Sequence, residues 1–389
     1  MVMTRFRTNF LMMMIVLCLG AWTVAPEPSQ QVNDTFPTPS PLNMDAPRGF
    51  HMGFTPFPYE ISMDAVQWVY EALANDSDII MHHFDNGVPW PEALASDAYS
   101  EHIMNDWELR RSLTPPDHAL ILSMTPIAFQ RDGLALYRGE ADDMPLPAPW
   151  DGYSFDHPDV VTAYFNHVQR SIDYFEPDYL VMGIEVNLLL NVRPDLWDGY
   201  VQMQQLVYNK LKTLYPDMPM MVSVVGVGFF PEYAPEYDLD TQLAGLAQVI
   251  PYSDYFALSL YPYMSGLMTN DIPVDYFDRL FALAGDKPIA ISETGYPAQT
   301  LELQDAGLTF PSTPEKQHAY ITGLLAQADA YDLQFIVNFV LRDYDALYDA
   351  IGGGDLAAIW RDTGFYDENG LGRPALEAWQ QTLARPYMP

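Results

Sequence analysis

Residues 288–297 read PIAISETGYP. Ile289, Ala290 and Ile291 form a short apolar run of the kind found in strands buried on both faces. The run ends on one carboxylate, Glu293, and passes at once into the turn-prone Thr294, Gly295, Tyr296 and Pro297. A doubly buried strand has no structural need for a glutamate at its end, so Glu293 is a candidate for chemistry.

Seven further apolar runs lie at 50–55, 78–83, 119–125, 179–185, 220–225, 255–261 and 335–339. Between them apolar residues recur at helical spacing: Val161, Tyr164, Phe165, Val168, Ile172 and Phe175, then Val207, Leu211 and Leu214, then Ile321, Leu324, Leu325 and Ala328. Leu376, Trp379 and Leu383 follow the last run in the same way. Strands alternating with helices eight times predict an α/β fold, a single (β/α)8 TIM barrel over 49–389. The rival, an open doubly wound sheet, usually carries a glycine-rich first turn, and GFTPFPYE at 53–60 is not one.

Functional side chains of such barrels sit at the C-terminal ends of strands. Strand two ends in MHHFDNGVPW (81–90), with His82, His83, Asp85, Asn86 and Trp90. Strand four ends in YLVMGIEVN (179–187), with Glu185 and Asn187. Strand six offers Ser259, Tyr261 and Tyr263, and strand eight offers Asn338, Arg342 and Asp343. Glu185 and Glu293 therefore hold equivalent places on strands four and seven, which face one another in a closed eight-stranded barrel. A carboxylate pair so placed suits cleavage of a glycosidic bond, one member protonating the leaving oxygen and the other meeting the anomeric carbon.

The segments SETGYP (292–297) and SLYPY (259–263) give this arrangement a family likeness. The chain resembles the clan of retaining (β/α)8 glycoside hydrolases whose acid/base ends strand four and whose nucleophile ends strand seven. SETGYP is similar to the nucleophile segment of the endo-β-1,4-galactanases (glycoside hydrolase family 53) and of the β-1,3-glucanases of family 17. SLYPY resembles the galactanase strand-six segment. The resemblance implies Glu293 as nucleophile, Glu185 as acid/base, and Tyr261 as a donor to Glu293. Two positions depart from the clan. Ile184 stands where an asparagine usually precedes the acid/base, and Asn187, two residues beyond Glu185, is the candidate to replace it if the strand continues. Strand eight lacks the usual tryptophan, with Phe339 or Trp360 as substitutes.

Substrate contacts are expected from one of His82 and His83, with His82 the first candidate, and from Asp85, Trp90, Asn187, Tyr261 and Asn338. Adjacent strand residues point to opposite faces, so the two histidines do not chelate one metal together, and no metal or cofactor is expected. The loop tryptophans Trp90, Trp150 and Trp360, with Phe230, are the better candidates for sugar stacking among many aromatic residues that pack in the core.

The chain carries 52 acidic and 18 basic residues for a net charge of −34. Such a surface repels phosphate backbones and anionic glycans, so the expected partner is a neutral carbohydrate and not nucleic acid. Residues 1–25 look like a signal peptide: Arg5 and Arg7, an apolar core FLMMMIVLCLG too short to span a bilayer, then Ala21 and Ala25. Cys18, the one cysteine, is a candidate lipid anchor, but Leu17 is not the small residue that usually precedes such a cysteine. Residues 26–48, rich in proline and polar side chains, read as a disordered linker. The expectation is a secreted or extracytoplasmic retaining glycosidase. A non-catalytic carbohydrate-binding barrel and a transglycosylase are the alternatives.

Overall fold

The computed structural model describes residues 46–265 and 272–388. The expected signal peptide and Cys18 lie outside these residues, as does the linker up to residue 45. Arg48, at the linker's expected end, is buried, ion-pairs with Asp78 and donates its backbone N–H to Pro386 O.

Strand and helix alternate along the described chain. The succession is β1 (His51–Phe54), α1 (Met63–Asp76), β2 (Ile79–Phe84), α2 (Glu101–Leu113), β3 (Ala119–Met124), α3 (Pro158–Phe175), β4 (Tyr179–Val181) and α4 (Trp197–Leu214). Then follow β5 (Met220–Met221, resumed at Ser223–Val225), α5 (Leu239–Val249), β6 (Phe256–Leu260), α6 (Tyr276–Phe281), β7 (Ile289–Thr294), α7 (Pro314–Ala330), β8 (Phe335–Asn338) and α8 (Pro374–Leu383). This is the element order of the α/β, (β/α)8 TIM-barrel fold. Local sequence marks the helix starts. Ser62, Ser100 and Thr313 each accept a backbone N–H three residues on, and Pro158, Pro314 and Pro374 occupy the first turn where no N–H is missed.

The chain divides into two compact units. One comprises residues 80–225 and 240–257. Its strands run parallel, with β4 between β3 and β5 in the registers Ile121↔Tyr179 and Leu180↔Met220. Helix α3 buries Val161, Tyr164, Val168, Ile172 and Phe175, the stripe that its spacing predicts, with Phe165 at the edge under the Lys210 ammonium.

The other unit comprises 46–79, 226–239 and 258–388. Strand β8 pairs in parallel with β1 (Phe54↔Asn338) and with β7 (Ile336↔Ile291, then Asn338↔Thr294 after a register shift). Helix α7 buries Ile321, Leu324, Leu325 and Ala328. A short hairpin, Leu301–Leu303 with Leu308–Phe310, follows β7.

Candidate active site

In the first unit Glu185 does not sit on a strand. Strand β4 stops at Val181, and the chain turns so tightly that Glu185 takes a left-handed φ of 50°. Gly183 permits this turn, since a side chain there would meet the Tyr200 hydroxyl at 2.5 Å. Ser223 holds the turn: its Oγ accepts the Glu185 N–H at 2.9 Å, its carbonyl accepts Val186 N–H, and its own N–H reaches Gly183 O. The Glu185 carboxylate, 18% exposed, accepts a hydrogen bond from Arg131 Nη2 at 3.2 Å.

Arg131 comes from the loop after β3, is only 3% exposed, and donates its Nη1 to Asp85 Oδ2 at 3.0 Å. Burial raises the Asp85 carboxyl above its ordinary value, with Arg131 opposing. His83 lies close enough to feel both Arg131 and Glu185. Burial first, then Arg131, lower it to about 4, so its ring is neutral at neutral pH. The loops after β2 and β3 are laced together through Asn86 Nδ2 to Asp142 Oδ1 (3.1 Å), Val88 N–H to Leu136 O and Arg138 N–H to Val88 O.

In the second unit Glu293 is the penultimate residue of β7. Its neighbours Ser292 and Thr294 point the opposite way and donate their hydroxyls to Leu258 O (3.1 Å) and Leu260 O (2.9 Å), anchoring the strand end. Tyr261 OH donates to Glu293 Oε2 at 3.3 Å. Gly295 lets the chain leave the strand, because a Cβ there would stand 2.6 Å from Phe339 O. Tyr261 meets Trp360 edge-on at 6.2 Å, Trp360 meets Phe339 the same way, and Phe339 meets Phe57 at 5.1 Å. Phe57, Phe339 and Trp360 remain partly exposed.

The structure revises several sequence expectations. His82 is fully buried against Phe175 with Nε2 2.9 Å from Thr114 Oγ1, and burial lowers it to about 3. The histidine beside Glu185 is His83, on the other face of β2. Asn187 is buried: its amide donates to Val225 O and Gln242 Oε1 and accepts Val225 N–H, so it secures β5 and does not replace the missing asparagine. The premise of a continuing strand fails at Val181. Trp90 is also fully buried, its Nε1 on Ala135 O and its ring stacked at 5.5 Å on Trp150, which leaves no face for a sugar. Trp150 and Phe230 are buried too.

Asp85 lies with Glu185 as part of the Arg131 ion pair, and Tyr261 lies on Glu293. Asn338 ends β8 fully buried; its Nδ2 reaches Val340 O while its Oδ1 has no hydrogen-bond partner among the described residues. Thr55 Oγ1, at the end of β1, is likewise buried and unpartnered. Sequence reasoning missed Arg131 and Ser223. The available signal for Arg131 was its positive charge just after strand three in a chain with 18 basic against 52 acidic residues. Asp343, Asp345 and Asp362 bring carboxylate oxygens within 4.8 Å of one another, but Arg373 engages the first and Arg361 the other two.

No family model and no curated protein matches the chain. Solved structures do. GH5_18 from Streptomyces cattleya, solved with GlcNAc, superposes with a TM-score of 0.58 at 13% identity over 88% of this chain and 83% of that one. The GH53 catalytic domain from Ignisphaera aggregans gives 0.55 at 16% identity over 92% and 99%. The exo-β-1,4-mannosidase Op5Man5 from Opitutaceae bacterium strain TAV5 gives 0.57 at 12% identity over 87% and 60%. The chain shares the (β/α)8 fold of these glycoside hydrolases.

Proposed function

We propose that the protein is a retaining glycosidase that acts outside the cytoplasm on a β-linked neutral polysaccharide or oligosaccharide, with Glu293 as nucleophile and Glu185 as acid/base. The observation that carries this reading is that Glu185 and Glu293 each keep some exposure and are each held by a hydrogen-bond donor. The Tyr261 phenol orients the Glu293 carboxylate and favours its charged form, as a nucleophile requires. Arg131 fixes the Glu185 carboxyl in place. The fold shared with GH5_18, GH53 and a β-mannosidase supports the same chemistry.

In this reaction Glu293 attacks the anomeric carbon while Glu185 gives its proton to the departing oxygen. Glu185 then takes a proton from the water that releases the sugar from Glu293. Phe339 and Trp360 offer partly exposed rings for stacking, and Asn338 Oδ1 offers an acceptor. The acidic surface favours uncharged substrates.

Reducing-sugar release over β-galactan, β-1,3-glucan, β-mannan and Manβ1-4GlcNAc tests the reading, with Glu185→Gln and Glu293→Gln beside the wild type. Product from one glycan, lost in both variants, is the expected result. Binding without product on any glycan would replace the enzyme with a non-catalytic carbohydrate-binding barrel.

A further inference from the structure

Arg131 is buried yet always charged, and both of its terminal nitrogens are spent on carboxylates: Nη1 on Asp85 at 3.0 Å, Nη2 on Glu185 at 3.2 Å. With both carboxylates ionised, the three groups hold one excess negative charge in a largely dry place. Such a charge is costly, and one bound proton removes it. An arginine paired with Glu185 alone would have the opposite effect, favouring the bare carboxylate and opposing its use as an acid.

We infer that Asp85, Arg131 and Glu185 act as one proton-holding unit, in which Asp85 is a positioning residue that cancels the charge of Arg131 and so leaves Glu185 able to carry the proton it delivers. The inference rests on the acid/base reading of Glu185. The step moves one proton and no electrons beyond those of the bonds exchanged. The glycosidic C–O bond breaks, Glu293 bonds to the anomeric carbon, the proton passes from Glu185 to the leaving oxygen, and the unit goes from neutral to −1. Water returns the proton when the sugar leaves Glu293.

The other groups facing the unit do not supply this charge balance. His83, from β2, is neutral above about pH 5 because burial and Arg131 lower it to about 4. Tyr164 from α3 and Tyr200 from α4 stay protonated, since burial pushes both phenols up. Asp142, from the loop after β3, is offset by Arg138 at 2.8 Å, and Asp143 beside it adds its charge only as the pH rises through neutrality. Burial, then Asp142 and Asp85, hold Asp143 near 7.

Carbon-13 NMR of carboxyl-labelled aspartate reads the coupling without any substrate, with the Asp85 signal assigned by its loss in Asp85→Asn. In Glu185→Gln, Asp85 no longer shares Arg131 with a second carboxylate and should titrate about one pH unit lower. A midpoint that stays in place overturns the inference, whether or not the glycosidase reading survives. Where a substrate is in hand, Asp85→Asn should move the alkaline limb of kcat/KM about one unit towards acid, and Arg131→Gln should move it towards alkali. Limbs that stay still or move together also overturn it. If Arg131→Gln does not fold, the two readouts on Asp85 decide the matter.

Discussion

Glu185 and Glu293 are held in very different ways. Glu293 lies in extended backbone, inside a six-residue strand whose flanking hydroxyls are tied to the next strand's carbonyls, and it accepts a hydrogen bond from a neutral phenol. Glu185 lies four residues past a three-residue strand, on a left-handed turn, ion-paired to a guanidinium that it shares with a second carboxylate. A strand positions the first group by geometry, whereas a turn and an ion pair position the second. A carboxylate that must attack needs constant charge and a fixed direction. One that must give and take a proton needs surroundings in which either charge state is tolerated.

The largest expected effect separates the two roles. On the proposed roles, Glu293→Gln should lower turnover by about 10⁴-fold or more on every substrate, because the anomeric carbon would lose its nucleophile. Glu185→Ala should cost about 10²–10⁴-fold on natural glycans but far less in kcat/KM for aryl glycosides, whose leaving groups need no proton. Added azide should restore turnover of the activated substrate in Glu185→Ala with a glycosyl azide of retained configuration, since azide attacks the glycosyl-enzyme without a base. Any azide product from Glu293→Ala should instead be inverted. Steady-state kinetics on nitrophenyl glycosides checks both. An azide product of retained configuration from Glu293→Ala, with an inverted one from Glu185→Ala, would exchange the two assignments.

What the sequence makes legible follows the same division. Glu293 and Tyr261 are legible because each closes an apolar run and the resemblance of SETGYP and SLYPY to glycosidase segments pairs them; strand parity adds only which face a side chain takes. Parity also showed that His82 and His83 face opposite ways, but not which one faces Glu185; that depends on Thr114 and Phe175 covering one side. Asn187 was misread because parity was carried past Val181, where the strand has ended. Arg131 reaches Glu185 across 54 residues of chain from an irregular loop, a contact that no local period encodes. Trp90 looked exposed as a loop residue until Trp150, 60 positions on, stacked over it. Tyr261→Phe tests the legible half: losing one hydrogen bond to a charged group should lower kcat/KM about tenfold to a hundredfold. Unchanged kinetics would leave Glu293 positioned by the strand alone.

The misread half yields a smaller and different effect. Asn187→Ala strips partners from the part-buried Val225 N–H and Val225 O and from the buried Gln242, and should cost about 1–3 kcal/mol of stability while KM stays the same. Denaturant unfolding beside substrate kinetics distinguishes the outcomes. A raised KM at unchanged stability would return Asn187 to the substrate and would mean that the turn at Glu185 opens in solution.

The smallest effect concerns how the two units respond to acid. His82 and His167, in the first unit, are fully buried and lowered to about 3, chiefly by burial and then by Arg110 for His82 and Arg138 for His167. Unfolding lets each take a proton at its ordinary value of 6.5. Their neutral burial therefore adds stability that is present above pH 6.5 and is lost as pH falls towards 3. At pH 6 the loss is only about 0.8 kcal/mol per histidine. In the second unit Asp343 is raised to about 7 by burial and by Asp362, against the pull of Arg373. Its contribution has the opposite sign, present below its ordinary value of 3.8 and lost as pH rises through 7. Hydrogen exchange at pH 5 and pH 8 should show amides around His82 and His167 losing protection at the lower pH, and those around Asp343 and Gly364 at the higher. Uniform loss across both units at either pH would mean that they open as one cooperative body, and the contrast between the two glutamates would then be local to their side chains.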